Sequence, residues 1–342
     1  MKFTDVLAVT LALGISCSAQ VPGPTTPLME RRNDEAGVDV NRFIGIPQNS
    51  PIHLSHGSLL SRTMLQGGDP YKPGPAGAVL EYHKELSLAS LLGKNKTTLA
   101  TLPDEFFFYV KTGEGRLDDG KSSWDLRPGV AILAPPGVAH RFVNTSDKTL
   151  EMIMLRWAAA GNPGHELVVR DTSLLPFCEE NAHWNNFSKC IFGAADGLFQ
   201  NERMYLVMVS PWAAGAPHSH PPGVEEVWTR LTPGPSVTMI GSELREIPEN
   251  AAYLIPPTGT IMHTNLNLSR DTPEWWLYIA RGGPAPPPPG AAPSVSGNAT
   301  PASAAPGFLP NGARGGTTAS SGKNLNLSRD VKEASVPGKP RP

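Results

Sequence analysis

Three histidines and a glutamate carry the most chemical meaning in this chain: His218, His220, Glu225 and His263. Three imidazoles and one carboxylate make a complete first shell for a divalent transition metal. This donor set suits Mn(II), Fe(II), Ni(II), Cu(II) or Zn(II) and disfavours calcium and magnesium. One anion among three neutral ligands leaves the centre positively charged, with positions open to an incoming group. Such a centre can polarise a carboxylate or an enolate, or bind dioxygen.

The positions of these residues set requirements on the fold. His218 and His220 are two apart, so on an extended strand both rings face the same side. Pro221-Pro222-Gly223 makes a turn after them, and Glu225 is expected to return to that side. By strand alternation, Val227 and Thr229 then share the inward face of Glu225, and Glu226 and Trp228 point away. Glu226, Trp228, Arg230, Arg245 and Tyr253 are candidates for the wall around the site.

The elements that hold such a site read as β. Phe106–Val110, Val130–Ala134, Leu150–Arg156, Met204–Val209, Ala252–Ile255 and Trp275–Ile279 are short apolar runs bounded by Gly, Pro, Asn or Asp. Many short strands with such punctuation imply a sandwich or barrel. One helix is expected, near Leu86 to Leu92. The runs also repeat in order. Leu126–His140 parallels Ile247–His263, each being strand, Pro-Pro turn, glycine and histidine. Upstream, Asp104–Phe107 parallels Glu225–Trp228, so the chain reads as a tandem duplication.

At these residues the chain resembles the cupin superfamily, and its two-domain bicupins in particular. The second cupin motif is met in the first half by Gly129, Pro135, Gly137, His140 and Asn144. The first motif is met in the second half by His218, His220 and Glu225. Asn250 stands for the motif glycine there, and one extra residue separates Gly259 from His263, but His263 and Asn267 keep their spacing. The resemblance implies an all-β protein of two tandem jelly-roll barrels, with one divalent transition metal in at least one of them. The first half departs from the pattern. With Glu105 aligned on Glu225, Thr98 and Ala100 fall where the histidine pair should be. Glu105 and His140 alone are too few for tight binding, so the first barrel is expected to be a metal-free copy. His53, His56 and His83 are the histidines that could restore it.

The ends bound the rest. A lysine at position 2, the apolar run Val6–Ile15 and small residues after it read as a secretory signal peptide, too short to span a bilayer. Cys17 raises lipidation, but Gly14 occupies the place where that signal wants leucine. From residue 283 the composition collapses to Pro, Gly, Ala, Ser and Thr, the mark of a disordered tail. The expected order is signal peptide 1–19, linker 20–44, first barrel 45–170, connecting segment 171–199, metal-binding barrel 200–282 and tail 283–342. Asn265–Asp271 recurs unchanged in the tail as Asn324–Asp330, a partial duplication. Cys178 and Cys190 are expected to form a disulfide in an oxidising compartment. A metal reading of that pair with His183 has only three ligands at irregular spacing. A net charge of −2 gives no basis for nucleic-acid binding. No internal segment could span a membrane, and nothing in the sequence excludes self-association.

Three functions fit these residues. The first is a secreted or periplasmic oxidoreductase, dioxygenase-like or oxalate-degrading, acting on a small anionic acid or phenol. The second is a non-oxidative isomerase, lyase or aminohydrolase that uses the ion as a Lewis acid. The third is a metal-binding or storage protein. An enzyme is the favoured reading, although fold alone is weak evidence for chemistry.

Overall fold

The structure is a computed structural model that describes residues 39–159, 163–180, 184 and 186–283. The expected signal peptide and tail, including the second copy of the repeat, lie outside these residues. Strands come in two sets of sheets, antiparallel except for the parallel pair Leu59–Gly67 and Ala78–Leu80, each set a jelly-roll barrel. In the first barrel the large sheet runs Val168–Asp171, Val130–Ala134, Glu105–Thr112, Leu150–Trp157, Glu85–Leu91, Leu59–Gly67 and Ile52–Ser55, with Ala78–Leu80 beside Leu59–Gly67. Its small sheet is Arg141–Val143, Gly115–Asp118 and Ser123–Leu126. In the second barrel the large sheet runs Ile44–Gly45, Ala252–Ile255, Val224–Arg230, Glu274–Gly282, Glu202–Val209, Asn186–Phe192 and Glu179–Glu180. Ala213–Ala214, His263–Asn267, Ser236–Ile240 and Glu243–Glu246 close it.

The helix expected near Leu86 to Leu92 is instead the strand Glu85–Leu91. Its side chains alternate with period two. Leu86 and Leu88 face the layer between the barrels, while Ala89 and Leu91 face the barrel interior. A sequence apolar on both faces hides the alternation that marks a strand. No α-helix occurs among the described residues, only short 3-10 turns. No described helix is long and apolar enough to cross a membrane.

Three further strands depart from the expected division. Ile44–Gly45, at the end of the expected linker, pairs with Ala252–Ile255 of the second barrel. Glu179–Glu180 and Asn186–Phe192, expected as connecting chain, extend the second barrel's large sheet. The two large sheets lie face to face. Phe107, Leu133 and Leu155 from the first barrel meet Val227, Leu254 and Ile279 from the second in one shared core. Each barrel also has its own interior, with Phe106, Phe108 and Phe142 in the first and Trp228, Tyr253 and Trp276 in the second. The central strands Glu85–Leu91, Glu105–Thr112, Val130–Ala134 and Val224–Arg230 are therefore buried on both faces.

The duplicated turns match in detail. Gly129 and Asn250 both have positive φ, at 92° and 69°. Asparagine tolerates this left-handed conformation better than most residues, which is why it can replace the motif glycine. Asn144 donates from Nδ2 to the carbonyls of Leu91 and Lys148, and its Oδ1 accepts from Ser146 N–H. Asn267 repeats this with Val209, Thr272 and Ser269. Both amides are buried and fully used by the fold, so neither is open to a glycan despite its sequon.

Cys178 and Cys190 are joined in a disulfide that staples the hairpin of Glu179–Glu180 and Asn186–Phe192. The closed loop is short, so chain-entropy arguments allow at most about 3 kcal/mol. Reduction should lower stability to chemical denaturation by no more than that and leave both barrels folded. A larger loss on adding reductant to the intact chain would mean that the hairpin holds more of the fold than its pairing suggests.

Candidate metal centre

The strand Val224–Arg230 decides which carboxylate reaches the histidines. Glu226, Trp228 and Arg230 lie on its barrel-interior side, with Trp228 packed beside Tyr253 and Trp276. Val227 lies on the other side, in the layer between the barrels, and Glu225 shares that face. The expected alternation is thus inverted. Val224 N–H bonds the Pro221 carbonyl, and Gly223 N–H bonds Pro257 across the barrel mouth. That turn places one more residue between His220 and the inward carboxylate than the sequence pattern suggests. A one-residue slip moves every side chain of a strand to the opposite face.

His218, His220, Glu226 and His263 come together, with one donor atom from each lying within 4.8 Å of all the others. Glu226 takes the place expected for Glu225. His218 and His263 face each other across an isolated antiparallel bridge, and their ring centroids are 4.4 Å apart. The His220 ring is 4.8 Å from His218 and 5.2 Å from His263. His218 donates Nδ1–H to the Ala216 carbonyl at 2.9 Å, since a carbonyl can only accept, and this turns Nε2 inward. Tyr278, on the strand Glu274–Gly282, pairs in register with Trp228 beside Glu226.

The arrangement fits an ion better than it fits hydrogen bonding within the cluster. Glu226 Oε1 is 3.0 Å from His220 Nε2, and Oε2 is 2.6 Å from His263 Nε2. Neither Glu226 Oε2 nor His263 Nε2 has a partner at hydrogen-bonding angles, despite this proximity. One donor atom from each of the four side chains thus lies within reach of a single ion. Burial disfavours the Glu226 carboxylate, but the His220 and His263 rings outweigh it and hold the group ionised well below the usual range. Burial likewise opposes charge on His220, and Glu226 overcomes it, raising that imidazole. Glu226 is therefore the anion that compensates positive charge here.

Glu225 is built into another structure. Its Oε1 lies 2.6 Å from His83 Nδ1, and its Oε2 accepts the backbone N–H groups of Glu81 and Tyr82. His83 Nε2 lies 2.9 Å from Glu202. From its place in the sequence, His83 is only one of three histidines able to restore a first-barrel site. Its position opposite Glu225 follows from packing between barrels, for which the chain carries no local signal. Of the residues expected in the wall, Trp228 and Tyr253 line the interior. Arg230 is buried and ion-paired with Glu274 at 2.9 Å, and Arg245 pairs with Glu243 nearer the surface.

In the first barrel, Ala100 bridges His140 as His218 bridges His263. Ala100 thus matches His218, one position of the pair away from the expected alignment. Phe106 pairs with Ala134, and Glu226 with Ile255, each partner standing just before a Pro-Pro turn. A phenyl ring therefore occupies the place of the anionic ligand, and Glu105 matches Glu225 on the outer face. Replacing His140 by Ala should leave the content of divalent metal unchanged, as measured by elemental analysis. His53 pairs with Glu85 at 3.1 Å, away from the interior.

Comparisons with known proteins agree with this architecture. The family described as Cupin domain matches residues 101–156. Among solved structures, the Ylba protein of E. coli is 13% identical, with a TM-score of 0.54, covering 72% of this chain and 93% of its own. AerE from Microcystis aeruginosa is 14% identical, with a TM-score of 0.53, covering 71% and 99%. A variant of oxalate decarboxylase from Bacillus subtilis is 12% identical, with a TM-score of 0.52, covering 70% and 77%. No curated protein matches the chain in sequence. The matched cupin domain lies within the first barrel, and the solved structures share the two-barrel fold of the chain.

Proposed function

We propose that the chain is a secreted, metal-dependent enzyme of the oxidoreductase type, acting on a small oxygen-rich acid or phenol. The convergence of His218, His220, Glu226 and His263 on one buried point carries this reading. His218, His220, Glu226 and His263 would hold a divalent ion there, which would supply Lewis acidity toward an anionic substrate. The protein's own groups do the rest. Glu226 balances charge, and the Ala216 carbonyl orients the His218 ring. Tyr278 keeps its proton, because burial and then Glu226 push its phenol well above the usual value. Trp228, Tyr253 and Trp276 exclude water from the interior. The named chemistry of the oxalate decarboxylase with the same fold makes a short dicarboxylate the first substrate to test. Secretion rests on the apolar leader and agrees with the Cys178–Cys190 bond.

The test begins with metal analysis of protein purified without a polyhistidine tag. About one equivalent of a first-row metal is expected. Oxygen uptake and carbon dioxide release are then followed with oxalate, related short acids and simple phenols. Turnover that rises with metal occupancy supports the reading. A metal-replete chain that turns over none of these would make it a binding or storage protein.

A further inference from the structure

The first barrel has a histidine pair of its own at the place that corresponds to the second barrel's centre. His56 lies on the turn between Ile52–Ser55 and Leu59–Gly67, and its ring points into the barrel. It stands 5.5 Å from His140, centroid to centroid. Phe106, Phe108 and Phe142 surround it at 4.9, 5.5 and 6.3 Å. His140 is only 2% exposed. Its Nδ1–H donates to the Val138 carbonyl at 3.1 Å, so the lone pair of Nε2 faces inward. The same arrangement orients His218 in the second barrel. Three buried ring nitrogens, His56 Nδ1, His56 Nε2 and His140 Nε2, have no hydrogen-bond partner. A buried polar atom without a partner costs free energy, so such atoms at a converging pair point to a ligand.

The backbone supports this. His56 adopts φ of 49°, a left-handed conformation that is uncommon for a residue with a side chain. Thr98 holds the turn through its N–H and its hydroxyl, both to the His56 carbonyl at 3.3 Å. Local strain of this kind accumulates where a side chain must be aimed.

We propose that His56 and His140 form a two-nitrogen site for a soft monovalent d10 cation, Cu(I) or its analogue Ag(I). Two neutral imidazoles satisfy an ion that accepts low coordination. A divalent ion is disfavoured, because Phe106 stands where the second barrel has Glu226, so the anionic ligand is lost from that position. Burial lowers both rings; at His56 the charges of His140 and Arg156 add to it and bring the group to about 3, while at His140 the bond to the Val138 carbonyl partly opposes it. Their lone pairs are thus available at any ordinary pH. The site is independent of the centre proposed above, which takes a divalent ion through an anionic ligand.

The experiment titrates the full chain anaerobically with Cu(I) in acetonitrile, and in parallel with Ag(I), which has no accessible redox change. A Cys17→Ser background removes the competing thiol. One equivalent is expected to bind, and the same equivalent should persist in a His218→Ala/His263→Ala variant. His56→Phe and His140→Phe should each abolish it while keeping the β circular dichroism and the divalent metal. X-ray absorption on the Cu(I) form should show two nitrogen ligands only, a readout that does not depend on whether either variant folds. Sulfur or a third ligand in that shell overturns the proposal. So does persistence of binding in both phenylalanine variants, loss in the second-barrel variant, or a folded chain that binds neither ion.

Discussion

Glu226→Ala should empty the second barrel of its divalent ion, while Glu225→Gln should leave the ion in place. The two residues are adjacent, but they lie on opposite faces of the strand Val224–Arg230. Glu226 is beside His220 and His263, whereas Glu225 is beside His83 and two backbone N–H groups of the first barrel. Losing an outer partner of a metal ligand typically costs about 10–100-fold in affinity. Losing the one anionic ligand should therefore exceed about a hundredfold. The measurement is competitive titration of the apo protein with a chromogenic chelator, for both variants and the parent. Equal affinity in Glu226→Ala and parent would remove Glu226 from the ligand set. Loss of the ion in Glu225→Gln alone would restore the assignment read from spacing. Turnover of any substrate should follow occupancy, since Glu226 is committed to charge compensation and not to proton transfer.

That contrast shows how far the sequence can be read. The histidines needed no structure. His218 and His220 share a strand face through their spacing, and the parallel between Leu126–His140 and Ile247–His263 placed His263 and His140 at matching turns. Asn250 was legible as a glycine substitute, and its φ of 69° explains why. The carboxylate was not legible. Two glutamates stand side by side, and which one turns inward depends on how many residues the Pro221–Gly223 turn consumes. Strand alternation gives relative parity only, and the turn sets its absolute value. The strand Glu85–Leu91 was hidden for a related reason. Leu86 and Leu88 enter one core while Ala89 and Leu91 enter another, so neither face is polar enough to reveal the period. The face-to-face packing of the two large sheets hides that strand, and nothing local in the chain encodes it. The same holds for His83, whose partners are more than a hundred residues away.

Replacing His83 by Ala should be among the most destabilising single changes in the molecule. Its ring is fully buried between Glu225 at 2.6 Å and Glu202 at 2.9 Å, and both of these carboxylates are buried as well. His83 belongs to the first barrel and the glutamates to the second, so the contact spans the two. Arg281 adds a nearby positive charge and donates to the Tyr82 carbonyl at 3.3 Å. Burial opposes a charged ring, but the hydrogen bonds to Glu202 and Glu225 prevail and raise the imidazole to about 9. Removing one partner of a buried ionic cluster leaves uncompensated charge, which typically costs about 3–5 kcal/mol. The pH dependence follows from the direction of the shift. The folded chain holds this proton more tightly than the unfolded chain, where the group has its ordinary value of 6.5. The stabilisation is therefore complete below about pH 6.5 and fades as pH rises through about 9. Urea unfolding across that window should show the parent losing stability, while His83→Ala starts low and shows no such loss. A variant within about 1 kcal/mol of the parent at neutral pH would mean that the charge is neutralised in another way. A parent whose stability is flat from pH 6.5 to 9 would mean that the ring is neutral in the fold. Retention of the divalent ion by the folded variant would separate this clamp from the metal centre on the far side of the same strand.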